Sequence, residues 1–223
     1  MRSLDISSNL DFKVEKMKEL FSLFVEKEVK TGQKFLNDLN DLISVAEIEA
    51  HSRNVAKYAL MIYENLPAYE KQKNEYKSEH IYHAGYYHDI GKAMIIKCFP
   101  EMLNKKAFDN TDRTIIKEHT HFGAVLLYWF ASIEKYDINE PLFNLLLNGC
   151  LYHHERRDGS GYLGLTEPHI PFIGNLIAVA DCFSAGIEHR VYSEAKAREN
   201  VLDELSKMPL DQMCVSALKT GLS

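Results

Sequence analysis

The segment Tyr87-His88-Asp89-Ile90-Gly91-Lys92 sets the reading of the whole chain. An imidazole and a carboxylate are adjacent at what reads as a helix end, Gly91 stops the helix, and a cation follows. Nitrogen and oxygen donors of this kind suit a transition-metal ion of borderline softness. Asp89 has two oxygens and could bridge two ions. Alone, a His-Asp pair is a common surface feature. Its weight comes from further histidines and acids that recur on apolar helical stripes before and after it.

Working outward, Ser78 is a plausible N-cap for the helix that carries Ile81, Ala84, Tyr87 and His88. Upstream, Leu10, Val14, Met17, Phe21, Phe24 and Val25 have helical spacing, closed by Gly32. A second stripe runs Phe35, Leu39, Leu42, Ile43 and Ala46, continues as Ile48, His51, Val55, Tyr58, Ala59 and Ile62, and ends at Pro67. Residues 68–78 are polar and read as a loop. Downstream, Thr111 or Asp112 can cap one helix bearing Ile115, His119, Phe122, Leu126 and Trp129. A helix from about Pro141 carries Leu142, Leu145, Leu146, Gly149, Tyr152 and His153. Residues 155–171 are rich in Gly, Pro and charge and form a loop, and Pro171 suits the first position of an apolar helix through Asp181 and Ser184. Segments 193–207 and 210–220 are helical. No stretch alternates with period two. The expected fold is all-α, with residues 1–40 as a helical N-terminal extension and 41–223 as the main domain.

Composition sets the class. Hydrophobic residues make up 46% of the 223, enough for a sizeable core. No apolar run approaches the ~20 residues that cross a bilayer, and no signal-peptide h-region is present, so neither a membrane nor export is expected. Cys98, Cys150, Cys182 and Cys214 are widely spaced and read as reduced thiols of a cytoplasmic protein. The net charge of -6 argues against a nucleic-acid polymer as partner, but not against a small anionic substrate.

The histidines are out of proportion to this composition. Glu47 and His51 are four apart and share a helix face. His51 and His119 fall on apolar stripes, His153 and His154 close another helix, and Asp181 lies in the most apolar one. With His88 and Asp89 these are eight N/O candidates without sulfur, too many for one ion. Two ions are the natural count, with Glu47 leaving room for a third. Two ions about 3.5–4 Å apart suit phosphoester hydrolysis, because they clamp the attacking and leaving oxygens of an in-line displacement. His80, His83, His121, His169 and His189 are not expected as ligands: His80 and His83 fall on the wrong side of their helix or too early in it, and His121 is off the His119 face.

The motifs His51-x-x-x-Val55, His88-Asp89-Ile90-Gly91-Lys92, His119-Thr120-His121-Phe122-Gly123 and His153-His154-Glu155 through Gly161-Tyr162 occur in that order, followed by Val179-Ala180-Asp181 and Arg190-Val191-Tyr192. Over roughly residues 43–220 this resembles the HD-GYP subgroup of HD-domain phosphohydrolases. The resemblance implies an all-α bundle holding two, sometimes three, Fe or Mn ions. It implies hydrolysis of a cyclic dinucleotide, usually cyclic di-GMP, to the linear dinucleotide or mononucleotide in signal transduction. Carried over, the metal ligands are His51, His88, Asp89, His119, His153, His154 and Asp181, and Glu47 matches the position that marks trinuclear members. Lys92 matches a lysine on the scissile phosphate and Arg190 an arginine that holds substrate phosphate. Arg156 and Arg157 are candidates for a second phosphate, and Tyr162 for stacking on a base. A homodimer is the oligomer to be considered.

The departures lie in the substrate wall. Gly161-Tyr162-Leu163 stands for Gly-Tyr-Pro in a loop one residue short. Ser184 replaces the Asp of Phe-Asp-Ala-Leu, and Val191 the Pro of Arg-Pro-Tyr. Two rival readings stay open: an HD-type nucleotide phosphohydrolase, and a catalytically silent nucleotide-binding module. Substrate assays separate the first, and metal content the second.

Overall fold

The computed structural model describes residues 43–44, 48–105, 107–188 and 196–223, and these are all-α as expected. Glu47, Arg190 and the 1–40 extension lie outside the described residues. The helices are α1 (Glu49–Glu64), α2 (Ala68–Lys73), α3 (Ser78–Tyr87), α4 (Lys92–Cys98), α5 (Asn110–Lys117), α6 (His119–Glu134), α7 (Pro141–Tyr152), α8 (Phe172–Ile187), α9 (Arg198–Lys207) and α10 (Gln212–Leu222). A 3-10 turn, Pro100–Asn104, follows α4. Among the described residues no helix is long and apolar enough to cross a membrane. The four cysteines are free thiols, and all but Cys182 are buried.

Helix α8 is the hub. Ile173, Leu176, Ile177, Val179, Ala180 and Phe183 are all buried along it, and it packs against α1, α3, α7, α9 and α10. Each Ile, Leu, Val or Phe side chain so buried contributes roughly 1.5–3 kcal/mol before conformational entropy is subtracted. Helix α1 buries Val55, Ala59 and Ile62 of the stripe read from sequence, at i, i+4 and i+7, and adds Ala56 beside them. Where α1 crosses α3 the facing residues are small. A Cβ on Gly85 would come within 2.9 Å of Ala56 Cα. This close crossing brings the start of α1, with His51, beside the end of α3, with His88.

Three local expectations need correction. Residues 68–78 are not all loop, because Ala68–Lys73 form a short helix with no buried residue. The single helix expected from Thr111 to Trp129 is two. Asp109, not Thr111 or Asp112, is the N-cap of α5, and it closes a capping box in which the Asp109 and Asp112 side chains each accept from the other's backbone N–H. The chain then breaks at Glu118 and restarts as α6 with His119 as first residue. The apolar periodicity runs through the break, which is why it leaves no mark in the sequence. Third, Lys77 rather than Ser78 is the N-cap of α3, and Pro171 is the N-cap of α8 rather than its first helical residue, each boundary one residue from the expectation.

The core divides into two large apolar clusters. One joins α1, α8, α9 and α10 around Ile62, Leu176 and Phe183. The other joins α4, α6 and α7 around Ile90, Leu126 and Leu146. His51 and Asp181 come from helices of the first, and His119 and His153 from helices of the second.

Candidate metal centre

Seven side chains expected as ligands converge between these clusters. His51 sits in the first turn of α1, His88 and Asp89 just after α3, His119 at the start of α6, His153 and His154 at the end of α7, and Asp181 within α8. Asp89 is the junction. Its Oδ1 lies 3.1 Å from His119 Nε2 and 3.6 Å from His153 Nε2. Its Oδ2 lies 3.3 Å from His88 Nε2 and 4.0 Å from His51 Nε2. Asp181 Oδ1 is 3.0 Å from His51 Nε2 and 4.0 Å from His88 Nε2. Two sets of donor atoms result, each within 4.8 Å of one another: Asp89, His119, His153 and His154 on one side, and His51, His88 and Asp89 on the other.

The hydrogen bonds behind the rings decide which nitrogen faces inward. Nδ1 of His88 donates to Gly85 O at 2.7 Å, Nδ1 of His119 to Ile116 O at 2.6 Å, and Nδ1 of His153 to Gly149 O at 2.8 Å. A carbonyl only accepts, so each Nδ1 carries a proton, which leaves Nε2 as the nitrogen that faces the centre and can offer a lone pair to a cation. His119 Nε2 and His153 Nε2 face each other at 3.2 Å. His88 Nε2 and Asp89 Oδ1 are buried and make no well-directed hydrogen bond. Orphaned buried acceptors are costly in the absence of a cation. Divalent ions fit this donor set, and the fixed tautomers are what a histidine-ligated metal requires.

Charge follows the same pattern. Burial pushes the Asp89 carboxyl up, but Lys92, His88, His119 and His153 together hold it well below the usual carboxylate range. Asp181 is likewise pushed up by burial and brought well below by His51, with smaller help from His88 and His154. Both are anions at any working pH. Burial lowers His119, and burial with the adjoining His153 and His119 lowers His154 well below its ordinary value. Burial also pulls on His51, yet its bonds to Asp181 and Glu188 win and raise it to about 9.

These signs predict how the metal-free protein responds to pH. A group raised on folding stabilises the fold below its unfolded value and loses that contribution as pH climbs through the folded one. His51 thus helps below 6.5 and fades towards about 9. The lowered His119 and His154 help above 6.5 and cease to as pH falls below it. Metal-free protein is expected to melt highest near pH 6.5 and lower on both sides, by calorimetry. A flat melting profile between about pH 5 and 9 would contradict this protonation pattern.

Around the centre, Lys92 is a quarter exposed and pairs with Asp89 Oδ2. Tyr162 stacks on His154 with ring centres 4.3 Å apart and remains 37% exposed. Lys117 Nζ lies 5.2 Å above the Tyr162 ring. The loop bearing Tyr162 is seated by Glu155, a buried acid that accepts from Leu163 N at 2.8 Å and Leu165 N at 2.7 Å. Gly161 is required beneath it, since a Cβ there would fall 2.5 Å from Glu155 Cα.

Arg157, expected at a second phosphate, is engaged elsewhere. Its guanidinium pairs with Glu167 and lies 3.7 Å from Asp211, and its N–H donates to Pro209 O at 2.9 Å, which ties the loop to the segment before α10. Arg156 donates to the carbonyls of His153 and Glu155 and to Cys182 Sγ.

Residues 48–186 match the HD domain family, more than half of the chain. The chain belongs to the HD domain family. Similar proteins include a cyclic di-GMP phosphodiesterase of Thermotoga maritima, 37% identical over 125 residues, which are 54% of this chain and 30% of that protein. A cyclic di-GMP phosphodiesterase of Vibrio cholerae is 32% identical over 155 residues, 67% of this chain and 30% of the relative. The 3′3′-cGAMP-specific phosphodiesterase 2 of Vibrio cholerae is 27% identical over 181 residues, 79% of this chain and 31% of the relative. The chain thus spans about a third of the length of these relatives. Together with the ordered motifs they support the HD-GYP subgroup of the HD family.

Two acids in this HD domain escaped the sequence reading. Glu155 follows the His153-His154 pair directly, and that adjacency was the signal the sequence offered; its burial is seen only in the fold. Glu188 is harder to find. It bonds His51 across 137 positions, and only its place seven residues after Asp181, two turns on and on one face, could have suggested it.

Proposed function

We propose that this HD domain is a metal-dependent phosphodiesterase that opens a cyclic dinucleotide, cyclic di-GMP or a relative such as 3′3′-cGAMP, to the linear product. One observation carries the reading: two sets of inward-facing donors share the single carboxylate of Asp89. Fe or Mn fits the histidine and carboxylate donors. Two ions are the proposed number, one held by His51, His88, Asp89 and Asp181, the other by Asp89, His119, His153 and His154. When bound, such ions supply an activated water and offset charge on the attacked phosphate.

The chain's own residues then divide the remaining work. Lys92, already beside Asp89, is placed to turn its ammonium towards a non-bridging phosphate oxygen, where a fixed cation is worth most as charge develops. Tyr162 presents a half-open aromatic edge next to His154, suited to a base of the substrate. Lys117, beside that ring, adds a cation on the same rim. The ionised Asp89 and Asp181 keep the pocket anionic, so an anionic substrate is admitted only once cations offset them.

The test is turnover of cyclic di-GMP, 3′3′-cGAMP, the linear dinucleotide and nucleoside phosphates by protein supplied with Mn or Fe. Opening of at least one cyclic dinucleotide, abolished by a chelator and restored by metal, is the expected result. Activity confined to nucleoside phosphates would replace this reading with that of a nucleotide phosphohydrolase. Bound metal without turnover of any of them would replace it with that of a silent binding module.

A further inference from the structure

The inward histidines are not all supported alike. His88, His119 and His153 each lean on a neutral backbone carbonyl three or four residues earlier in the chain. His51 leans on a charged group from another part of the chain: its Nδ1 is 3.0 Å from Glu188 Oε2. Glu188 is held in turn. Its Oε1 accepts from Asn54 Nδ2 at 3.0 Å and from Ser184 Oγ at 2.5 Å, which leaves Oε2 for the imidazole. This is no surface ion pair, as the His51 and Glu188 side chains keep only 13% and 20% of their exposure. Ser184 stands where the HD-GYP pattern carries Asp, and Glu188, four residues on, brings a carboxylate back to that face.

We propose that Glu188 is a positioning residue that sets the affinity of one of the two metal subsites, the one containing His51 and His88, by orienting and polarising His51. The proposal rests on the two-ion reading above. A carboxylate behind an imidazole fixes the tautomer as a carbonyl does, and also raises the basicity of the inward nitrogen, which a neutral carbonyl does less. In the other subsite His119 and His153 both lean on backbone carbonyls instead. The two subsites therefore depend differently on Glu188. Changing it acts on one binding step and leaves the other.

Metal-free wild type, Glu188→Gln, Glu188→Ala and Ser184→Ala proteins are titrated with Mn, with free Mn followed by paramagnetic resonance and binding heat by calorimetry. Wild type is expected to bind in two steps. Glu188→Gln keeps the shape of the side chain but not its charge, and it weakens one step by about 10–100-fold while the other stays within about twofold. Glu188→Ala weakens the same step further, and Ser184→Ala, which only loosens Glu188, weakens it less. Turnover of Glu188→Gln shifts to higher Mn and recovers at saturating Mn, whereas a damaged fold would not recover. Two unchanged steps, or two steps weakened by one common factor, overturn the proposal. No Mn binding by wild type overturns the two-ion reading and this proposal with it. Loss of one step in Glu188→Gln without turnover of any dinucleotide by wild type leaves this proposal standing and removes the proposed activity.

Discussion

Asp89→Ala protein, purified and supplied with Mn or Fe, is expected to hold less than one ion per chain and to lose the proposed turnover of a cyclic dinucleotide by about 10³-fold or more. Among the described residues Asp89 is the one side chain whose two oxygens face different sets of histidines, Oδ1 towards His119 and His153 and Oδ2 towards His88 and His51. Its loss removes a donor from both subsites together, and no neighbour can replace it. Asp181 reaches His51 and His88, but no contact joins it to His119. The alanine also leaves Lys92 beside the histidines without its anion, so a cation remains where metal would have to enter. Asp89→Asn is the companion variant. It fills the same volume and preserves packing, yet its amide supplies one weak oxygen donor in place of a bridging anion. It should fold like wild type by circular dichroism and still fail to load. Purified Asp89→Ala with near-wild-type turnover would show that the shared carboxylate is not the basis of the chemistry.

Much of this centre was legible in the sequence because metal chemistry restricts residue type. His51, His119 and Asp181 stood out as polar residues on apolar stripes, and all three turn inward. His88-Asp89 and His153-His154 stood out by adjacency at helix ends. What was not legible depends on contacts rather than type. The break at Glu118 leaves the apolar spacing of Ile115, His119 and Phe122 intact, so periodicity reads one helix where two meet. Arg157 resembled a phosphate ligand by charge alone, and only the fold shows Glu167 and Asp211 within its reach. Glu188 is one acid among many until α1 and α8 pack together and bring it to His51.

Gly91→Ala is expected to lower the melting temperature and to empty the centre although residue 91 contacts no metal. Gly91 adopts φ -65 and ψ -16, ordinary helical values open to alanine. Its requirement is space. A Cβ there would lie 1.9 Å from His119 O and 2.5 Å from Gly123 N, both backbone atoms in the first turns of α6. No rotamer change can relieve a clash with backbone, so the turn carrying Asp89 and the start of α6 must separate. That separation opens the 3.1 Å approach of Asp89 Oδ1 to His119 Nε2. Overpacking of this kind costs about 3 kcal/mol, or roughly 6–12 °C at about 2–4 °C per kcal/mol for a chain of this size. Gly164→Ala is the control. Gly164 has φ +72 and open space around it, the nearest atom being Gly159 O at 3.7 Å. Alanine there pays backbone strain of about 1 kcal/mol but displaces nothing near the ligands, so it should melt slightly lower and still load metal. If both variants load equally, the close approach of Gly91 to α6 is not what holds the two halves of the centre in register.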